Sequence, residues 1–229
     1  MINAISLANS SALELGSDVE QFTQAGETFF HIDISDGHYV QNIMLPMRCV
    51  GDIKAAYPNC TADVHLMVTN PMDYIEPMKK SGADYLAFHA DATSFAVRTL
   101  SAIRTAGMKA GVVINPSQPV DIIEPYAHLL DYAILMTVEP GFAGQRFLPG
   151  SLERLSQLDQ LRKRKVADFL IEIDGGIDYE NSVQCKERGA DILVTGIFVS
   201  YNQPDGIVSA CKRFKEHMSN RAFGCDVNR

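Results

Sequence analysis

Four polar side chains stand where short apolar stretches of this chain end, and their types match the ligands of a divalent metal ion. They are His31 and Asp33 in FFHIDISDG, His65 in ADVHLMV, and Asp174 in FLIEIDGG. Two imidazoles and two carboxylates form a complete ligand set for zinc, manganese, iron or cobalt. The residue types therefore predict one divalent metal ion as the cofactor of this chain, with these four side chains as its ligands.

The spacing of these residues constrains the element that carries them. His31 and Asp33 are two positions apart, so on a β-strand their side chains share one face. In a barrel of strands that face points either into the barrel or against the helices, and burying an aspartate against apolar helices is costly. We therefore expect both side chains at the mouth of a barrel, with His65 on the adjacent strand and Asp174 across the mouth.

Short apolar runs alternate with longer helical patterns along the whole chain. Continuous runs such as AGVVI and YAILM are typical of parallel strands that are buried on both faces. Helices are expected between the runs, including one over Val120–Ala127 after the fifth strand. The predicted strands are Ala4–Leu7, Thr28–Ile34, Thr61–Met67, Tyr85–His89, Lys109–Ile114, Tyr132–Met136, Phe169–Ile173 and Ile192–Val194.

About eight such strand–helix units predict an α/β protein with a single (β/α)8 TIM barrel. Residues 1–218 would form this catalytic domain, and residues 219–229 would form a C-terminal tail. A doubly wound open sheet is the alternative, but it would not gather residues from strands two, three and seven around one point.

Small residues follow the sixth, seventh and eighth predicted strands. Loops at these positions of such barrels often bind phosphate through backbone amides and a short helix N-terminus, and glycine lets the backbone approach the anion. One glycine-rich loop is a weak signal because tight turns also need glycine, but three consecutive loops favour phosphate. The residues concerned are Gly141, Phe142, Ala143 and Gly144 in EPGFAGQ, Gly175 and Gly176 in DGG, and Gly196 and Ile197 in TGI.

Other side chains at predicted strand ends could line the same mouth. Met67 and Met136 would shield a carbanion-like intermediate from water if they face the mouth, although methionine more often fills a core. Ser6, His89 and Asn115 are polar residues at equivalent positions. Lysine is absent from the C-terminal end of every predicted strand, which argues against a Schiff-base aldolase.

Composition limits the partners of the chain. The 229 residues carry a formal net charge of -8, which argues against a nucleic acid or an anionic membrane surface but not against a small phosphorylated ligand. The five cysteines are scattered without a CxxC pair, which indicates a reducing, cytoplasmic location. We expect no signal peptide at the start, and no stretch approaches the roughly 18 apolar residues that a membrane span needs.

Taken in order, the motifs resemble those of the ribulose-phosphate 3-epimerase family. HIDISDGHYVQN is similar to the signature HxDxMDGxFVPN, and DVHLMVTNP, INPSQP, MTVEPGFAGQRF and IDGGI follow in the family's order and spacing. The resemblance implies a barrel of the ribulose-phosphate-binding type that inverts C3 of a small phosphorylated ketose, converting ribulose 5-phosphate to xylulose 5-phosphate. It also implies a homo-oligomer. The chain looks similar to the allulose-6-phosphate 3-epimerase branch as well, which accepts a longer ketose phosphate.

The resemblance implies roles for individual residues. His31, Asp33, His65 and Asp174 match the metal ligands of the family, and Asp33 and Asp174 also match its acid/base pair. Such a pair would take a proton from C3 and return one to the other face through an enediolate. The other matches are Ser6, Met67 and Met136 at the substrate, and Gly144, Gly176 and Gly196 in the phosphate loops.

The chain also departs from the family pattern. Ser35 stands where the family has methionine, which predicts a hydroxyl in place of one apolar wall of the pocket. Ile197 replaces a serine, and Asp91 stands where glutamate is common. None of these changes affects the four ligands. They leave open the allulose 6-phosphate reaction and a catalytically inactive sugar-phosphate-binding barrel, and a metallohydrolase is a third possibility because similar ligands can activate water.

Overall fold

Eight parallel strands close into one barrel in the computed structural model, which describes residues 1–165, 167–201 and 203–220. Each strand pairs with the next in sequence, and the last strand pairs with the first. This closure confirms the predicted (β/α)8 barrel and excludes the open doubly wound sheet. The strands are β1 (Ile2–Ser6), β2 (Phe29–Ser35), β3 (Thr61–Met67), β4 (Tyr85–His89), β5 (Lys109–Ile114), β6 (Tyr132–Met136), β7 (Leu170–Asp174) and β8 (Ile192–Thr195).

Helices connect the strands and pack around the outside of the barrel. They are α1 (Leu15–Gln24), α2 (Arg48–Ala56), α3 (Met72–Ser81), α4 (Ala96–Thr105), α5 (Ser151–Arg164), α6 (Tyr179–Glu187) and α7 (Gly206–Asn220). Within the described ranges, none of these helices is long and apolar enough to cross a membrane. Of the predicted tail, residues 221–229 lie outside the described residues.

The connection after β5 differs from the prediction. The α-helix expected over Val120–Ala127 is a 3₁₀ segment over Val120–Leu129. Pro125 has no N–H to donate, and Tyr126 leaves helical geometry with a φ of -129°. A regular α-helical ladder therefore cannot continue through this segment.

The side chains of β3 show how the strands divide their residues between two environments. Ala62, Val64 and Leu66 pack outward in the main apolar core, in which helix residues also take part. The alternate residues Asp63 and His65 contact side chains of other strands inside the barrel. Burial of each large aliphatic side chain contributes about 1.5–3 kcal/mol, so the outward face fixes the strand and leaves the inward face free for polar residues.

The barrel interior is filled below its mouth. Tyr132 on β6 is fully buried there with Ala87, Val113 and Ile134. A Cβ atom at Gly111 would lie 2.3 Å from Cε1 of Tyr132, so only glycine leaves room for this ring. The interior is therefore a packed core, and polar side chains can open to a ligand only above it, at the C-terminal ends of the strands.

Candidate active site

The four predicted metal ligands converge at the mouth of the barrel. One ligand atom from each of His31, Asp33, His65 and Asp174 lies within 4.8 Å of the other three. His65 Nδ1 is 3.1 Å from Asp33 Oδ1 and 3.5 Å from Asp174 Oδ2. His31 Nε2 is 3.5 Å and 3.7 Å from the same two oxygens. The strands β2, β3 and β7 thus bring two imidazoles and two carboxylates to one point.

The two imidazole nitrogens of this cluster suit a bound cation. Both His31 Nε2 and His65 Nδ1 are buried, and neither has a partner in hydrogen-bond geometry among the described residues. A buried polar group without a partner costs about 1–3 kcal/mol, and a cation that both nitrogens face would remove that cost. Together with the carboxylate oxygens, these nitrogens form a donor set that fits a divalent metal ion.

The electrostatics of the cluster favour positive charge between the carboxylates. Burial disfavours the charged form of Asp33, but His31 and His65 outweigh it and hold the pKa of Asp33 well below its usual range. Burial lowers the pKa of His65, whereas its contacts with Asp174 and Asp33 raise that pKa to about 9 overall. The carboxylates therefore attract a positive charge, which a divalent cation bound to neutral imidazoles would supply in place of a proton.

A buried carboxylate orients His31 from inside the barrel. Oδ2 of Asp63 lies 2.6 Å from Nδ1 of His31, and the Tyr132 hydroxyl donates to Oδ1 of Asp63 at 2.9 Å. If Nδ1 carries the hydrogen and donates it to Asp63, Nε2 is left free as a ligand atom, as is common for histidines that bind metals. Neither Asp63 nor Tyr132 is among the site residues predicted from the sequence.

Glu172 is a second buried acid beside His31, and sequence reasoning missed it. Its Oε1 lies 3.0 Å from His31 Nδ1, and both side chains are fully buried. Burial, and next the charge of Asp63, raise the pKa of Glu172 to about 8, which favours the protonated form of this carboxyl. The signal was present in the sequence, because Glu172 stands two residues before Asp174 and strand alternation puts both on the interior face.

We expect Asp63→Asn to weaken the binding of a divalent cation by about 10–100-fold, since loss of the partner behind a metal-binding histidine has an effect of that size. Titration of metal-free protein with Zn²⁺ in competition with a chromophoric chelator measures this change. Asp121→Asn, which removes an exposed carboxylate from the 3₁₀ segment, is the control and should bind like the wild type. An unchanged affinity in Asp63→Asn would show that this carboxylate does not orient His31.

The three other polar residues predicted at strand ends differ in position. The Ser6 hydroxyl donates to Asp33 Oδ2 at 3.4 Å, so Ser6 lies at the cluster. Nε2 of the fully buried His89 is 2.8 Å from Nε2 of His65, which places His89 behind that imidazole. The Asn115 side chain instead donates to the Tyr39 hydroxyl at 2.6 Å. Of these three, only Ser6 lines the pocket above the cluster.

The pocket above the cluster has, among the described residues, no lysine or arginine in its lining. Asp33, His65 and Asp174 open into it, and the nearly fully buried Met67 and Met136 give it apolar walls. Every residue that the sequence predicted at the substrate lies in this lining: Ser6, Met67, Met136, Gly141, Phe142, Ala143, Gly144, Gly175, Gly176, Gly196 and Ile197.

The hydroxyl of Ser35 does not form part of the pocket wall. Its Oγ accepts from the Met44 N–H at 2.8 Å and donates to the Asn42 carbonyl oxygen at 2.9 Å. These bonds close the loop after β2, and that loop brings Met44 to the pocket. The prediction of a hydroxyl in the wall was therefore wrong, because the loop backbone engages Ser35 and a methionine from the loop lines the pocket.

Four backbone N–H groups in the loops after β7 and β8 have no hydrogen-bond partner in the part of the chain that the structure describes. Among the described residues, Gly176, Ile177, Ile197 and Phe198 line the pocket and make no hydrogen bond through their N–H groups. Gly176 has a φ of +66°, and a Cβ atom there would lie 2.3 Å from the Phe147 nitrogen, so the position requires glycine. A single turn over 197–200 stands where a short helix was expected. Because backbone N–H groups without a partner can donate to an anion, this part of the pocket suits an anionic group such as phosphate.

The closed barrel, the cluster at its mouth and the glycine-rich pocket together define a (β/α)8-barrel enzyme with a site for a small anionic substrate. The model of the ribulose-phosphate 3 epimerase family matches residues 2–200, and the chain belongs to that family. It is a sugar-phosphate epimerase, which is an isomerase acting on carbohydrates.

Two curated relatives show the extent of the similarity. The ribulose-phosphate 3-epimerase of Bacillus subtilis is 38% identical over 203 residues, which cover 88% of this chain and 93% of the relative. The enzyme of the same name from Synechocystis is 36% identical over 207 residues, covering 90% of this chain and 89% of the relative.

Solved structures with the same barrel are more distant in sequence. The 3-hexulose-6-phosphate synthase from Salmonella typhimurium superposes with a TM-score of 0.70 at 14% identity, covering 96% of this chain and 99% of that one. The phosphoribosyl anthranilate isomerase from Thermus thermophilus gives 0.66 at 13% identity, covering 96% of this chain and 100% of that one. At this level of identity the two structures show the fold alone.

Proposed function

We propose that this chain inverts C3 of ribulose 5-phosphate to give xylulose 5-phosphate, with Asp33 and Asp174 as the acid/base pair and one divalent metal ion as cofactor. The observation that carries the proposal is the meeting of two carboxylates and two unpartnered imidazole nitrogens within 4.8 Å at the floor of the pocket. Relatives that are 34–38% identical carry the name ribulose-phosphate 3-epimerase, which supports this choice of substrate.

His31, Asp33, His65 and Asp174 would hold the cation, which is zinc, manganese, iron or cobalt on the chemistry of this donor set. When bound, it supplies Lewis-acid stabilisation of the negative charge that develops on the substrate oxygens. The chain's own side chains perform the remaining steps.

The two carboxylates move the proton. They approach the site from the non-adjacent strands β2 and β7. One begins ionised and takes the proton from C3, which is acidic because it lies next to the ketone, and the other begins protonated and donates to the opposite face of the enediolate. The roles reverse when the other epimer binds. Ser6 donates to Oδ2 of Asp33 and so fixes the orientation of that carboxylate.

The rest of the pocket positions the substrate and excludes water. Met67 and Met136, at 1% and 2% exposure, give apolar surface beside the carboxylates, where it would protect a carbanion-like centre from solvent. The free amides after β7 and β8 would bind the phosphate without a cationic side chain. This arrangement would anchor the far end of the ketose while C3 lies between Asp33 and Asp174.

The test is a C3-epimerisation assay of metal-loaded protein on ribulose 5-phosphate and allulose 6-phosphate side by side, run in deuterated water. We expect kcat/KM for ribulose 5-phosphate to be higher by at least about tenfold, as expected when a pocket discriminates by chain length. Deuterium should enter C3 without net hydrolysis. A preference for allulose 6-phosphate would assign the chain to the longer substrate, and release of inorganic phosphate would indicate a metallohydrolase.

Turnover of neither ketose phosphate, with metal bound and the fold intact, would favour an inactive binding barrel. The homo-oligomeric state and the cytoplasmic location stay predictions from the sequence. Size-exclusion chromatography with light scattering tests the first of these.

A further inference from the structure

We propose that Tyr39, Asp91 and Asn115 form a clamp that holds the loop 36–45 against the barrel, which makes Tyr39 a positioning residue for the substrate pocket. The kinetic part of this inference rests on the proposed function, whereas its structural part does not. Asp91 is one of the positions at which the chain departs from the family pattern.

The clamp consists of hydrogen bonds between the segments that follow β2, β4 and β5. The Tyr39 hydroxyl donates to Oδ1 of Asp91 at 2.7 Å. The Asn115 amide donates to the Tyr39 oxygen at 2.6 Å and to Oδ2 of Asp91 at 3.2 Å. Arg154 in turn holds the Asn115 carbonyl oxygen at 2.7 Å. The loop after β2 is thereby tied to the ends of β4 and β5 through one phenol.

The loop that Tyr39 ties down builds part of the pocket. It carries Met44 into the pocket lining, and the Asn42 amide donates to the Gly141 carbonyl oxygen at 2.7 Å. Val40 packs closely on Gly141, since a Cβ atom added to Gly141 would lie 2.8 Å from Cβ of Val40. Movement of the loop would therefore displace both Met44 and the glycine-rich loop after β6.

The loop has other attachments, and among the described residues the clamp is the attachment on the side of β4 and β5. Oδ1 of Asp36 accepts from the N–H groups of His38 and Tyr39, and its Oδ2 accepts from Thr69 after β3. Asp36 therefore fixes the base of the loop, and the Tyr39 side chain fixes it above the neighbouring strands.

The phenol ring of Tyr39 also covers His89, the residue behind the His65 imidazole. It lies over the His89 ring with centroids 4.5 Å apart and planes inclined by 37°. His89 Nε2 contacts His65 Nε2 at 2.8 Å. The hydroxyl of Tyr39 thus acts on the loop, whereas its ring acts on His89, so removal of the hydroxyl alone tests the clamp and leaves the covering ring in place.

The experiment is a double-mutant cycle of Tyr39→Phe and Asp91→Ala in the metal-loaded protein. We expect each single change to raise KM for ribulose 5-phosphate about fivefold to tenfold, because a hydrogen bond to a charged group is lost, and to change kcat by less than about twofold. The double variant should have a KM no higher than the worse single variant, because both changes break one unit. Tyr57→Phe, at the end of α2, is the matched control and should behave like the wild type.

Amide hydrogen exchange of the metal-free protein gives a readout that does not depend on turnover. The amides of residues 38–44 should exchange about tenfold faster in Tyr39→Phe and in Asp91→Ala, while Zn²⁺ affinity stays within about twofold of the wild type. Strictly additive KM changes, or unchanged exchange in this loop, would overturn the clamp. If the wild type turned over no ketose phosphate, the proposed function would fail and the exchange data alone would decide about the clamp.

Discussion

Asp174→Asn is expected to lower kcat for C3 epimerisation by about 10²–10⁴-fold, the usual contribution of a positioned acid or base. The amide keeps the shape of the carboxyl group but cannot take or give the C3 proton. Asp174 ends β7 with Oδ2 3.5 Å from His65 Nδ1, so the change also removes one oxygen from the cation site. Assays at saturating Zn²⁺ separate the proton-transfer defect from weaker metal binding, and Asp33→Asn should give a loss of the same order.

The control for this prediction is Asp168→Asn, which removes a carboxylate just before the other end of the same strand. It should retain wild-type turnover. Deuterium entry at C3, followed by NMR in deuterated water, shows directly whether proton abstraction is lost. Substantial turnover by metal-saturated Asp174→Asn would remove Asp174 from the acid/base pair and leave it, at most, as a ligand.

Removal of the metal is the second change with a large expected effect. Dialysis against a chelator should lower turnover by at least about 100-fold, since Lewis-acid stabilisation of developing charge is worth several kcal/mol. Addition of zinc, manganese, iron or cobalt should restore it, and the best of the four identifies the preferred ion. Full activity in protein shown by elemental analysis to be free of metal would exclude the metal-dependent mechanism.

The metal-free protein also allows a test of metal binding through the stability of the fold. A cation that binds only the folded chain should stabilise it by about 2.7 kcal/mol at a concentration of 100 times Kd. Without it, two buried imidazole nitrogens lack a partner within the described part of the chain. Melting curves of metal-free protein with and without Zn²⁺ measure the difference, and the Asp33→Asn variant should show a smaller shift because it has lost one ligand.

The sequence by itself determined the strand order and the composition of the candidate site. Alternation in ADVHLMV puts Asp63, His65 and Met67 on one face, and the apolar residues between them require the opposite face to be buried. Repetition of such strands with intervening helices permits few arrangements other than a closed parallel barrel. In that barrel Asp33, His65 and Asp174 meet because each stands near the C-terminal end of its strand, and His31 joins them from two residues before Asp33 on the same face of β2.

Local sequence also contained signals that were not used. Pro125 disfavours the α-helix expected after β5, and the alternation in FLIEID places Glu172 inside the barrel beside Asp174. Both features depend only on near neighbours, so a stricter application of the same rules predicts them.

The tertiary structure alone decided which side chains hold the site together. The contact of Tyr132 with Asp63 joins residues 69 positions apart, and that of Asn115 with Tyr39 joins residues 76 positions apart. Such contacts depend on the register between strands and on loop conformation, and a shift of one residue would turn each side chain to the other face. Residue types specify which groups can bind a metal or move a proton. Only the closed barrel determines which neighbour shifts a pKa, orients an imidazole or engages a hydroxyl such as that of Ser35, because these effects act over a few ångströms between residues far apart in the chain.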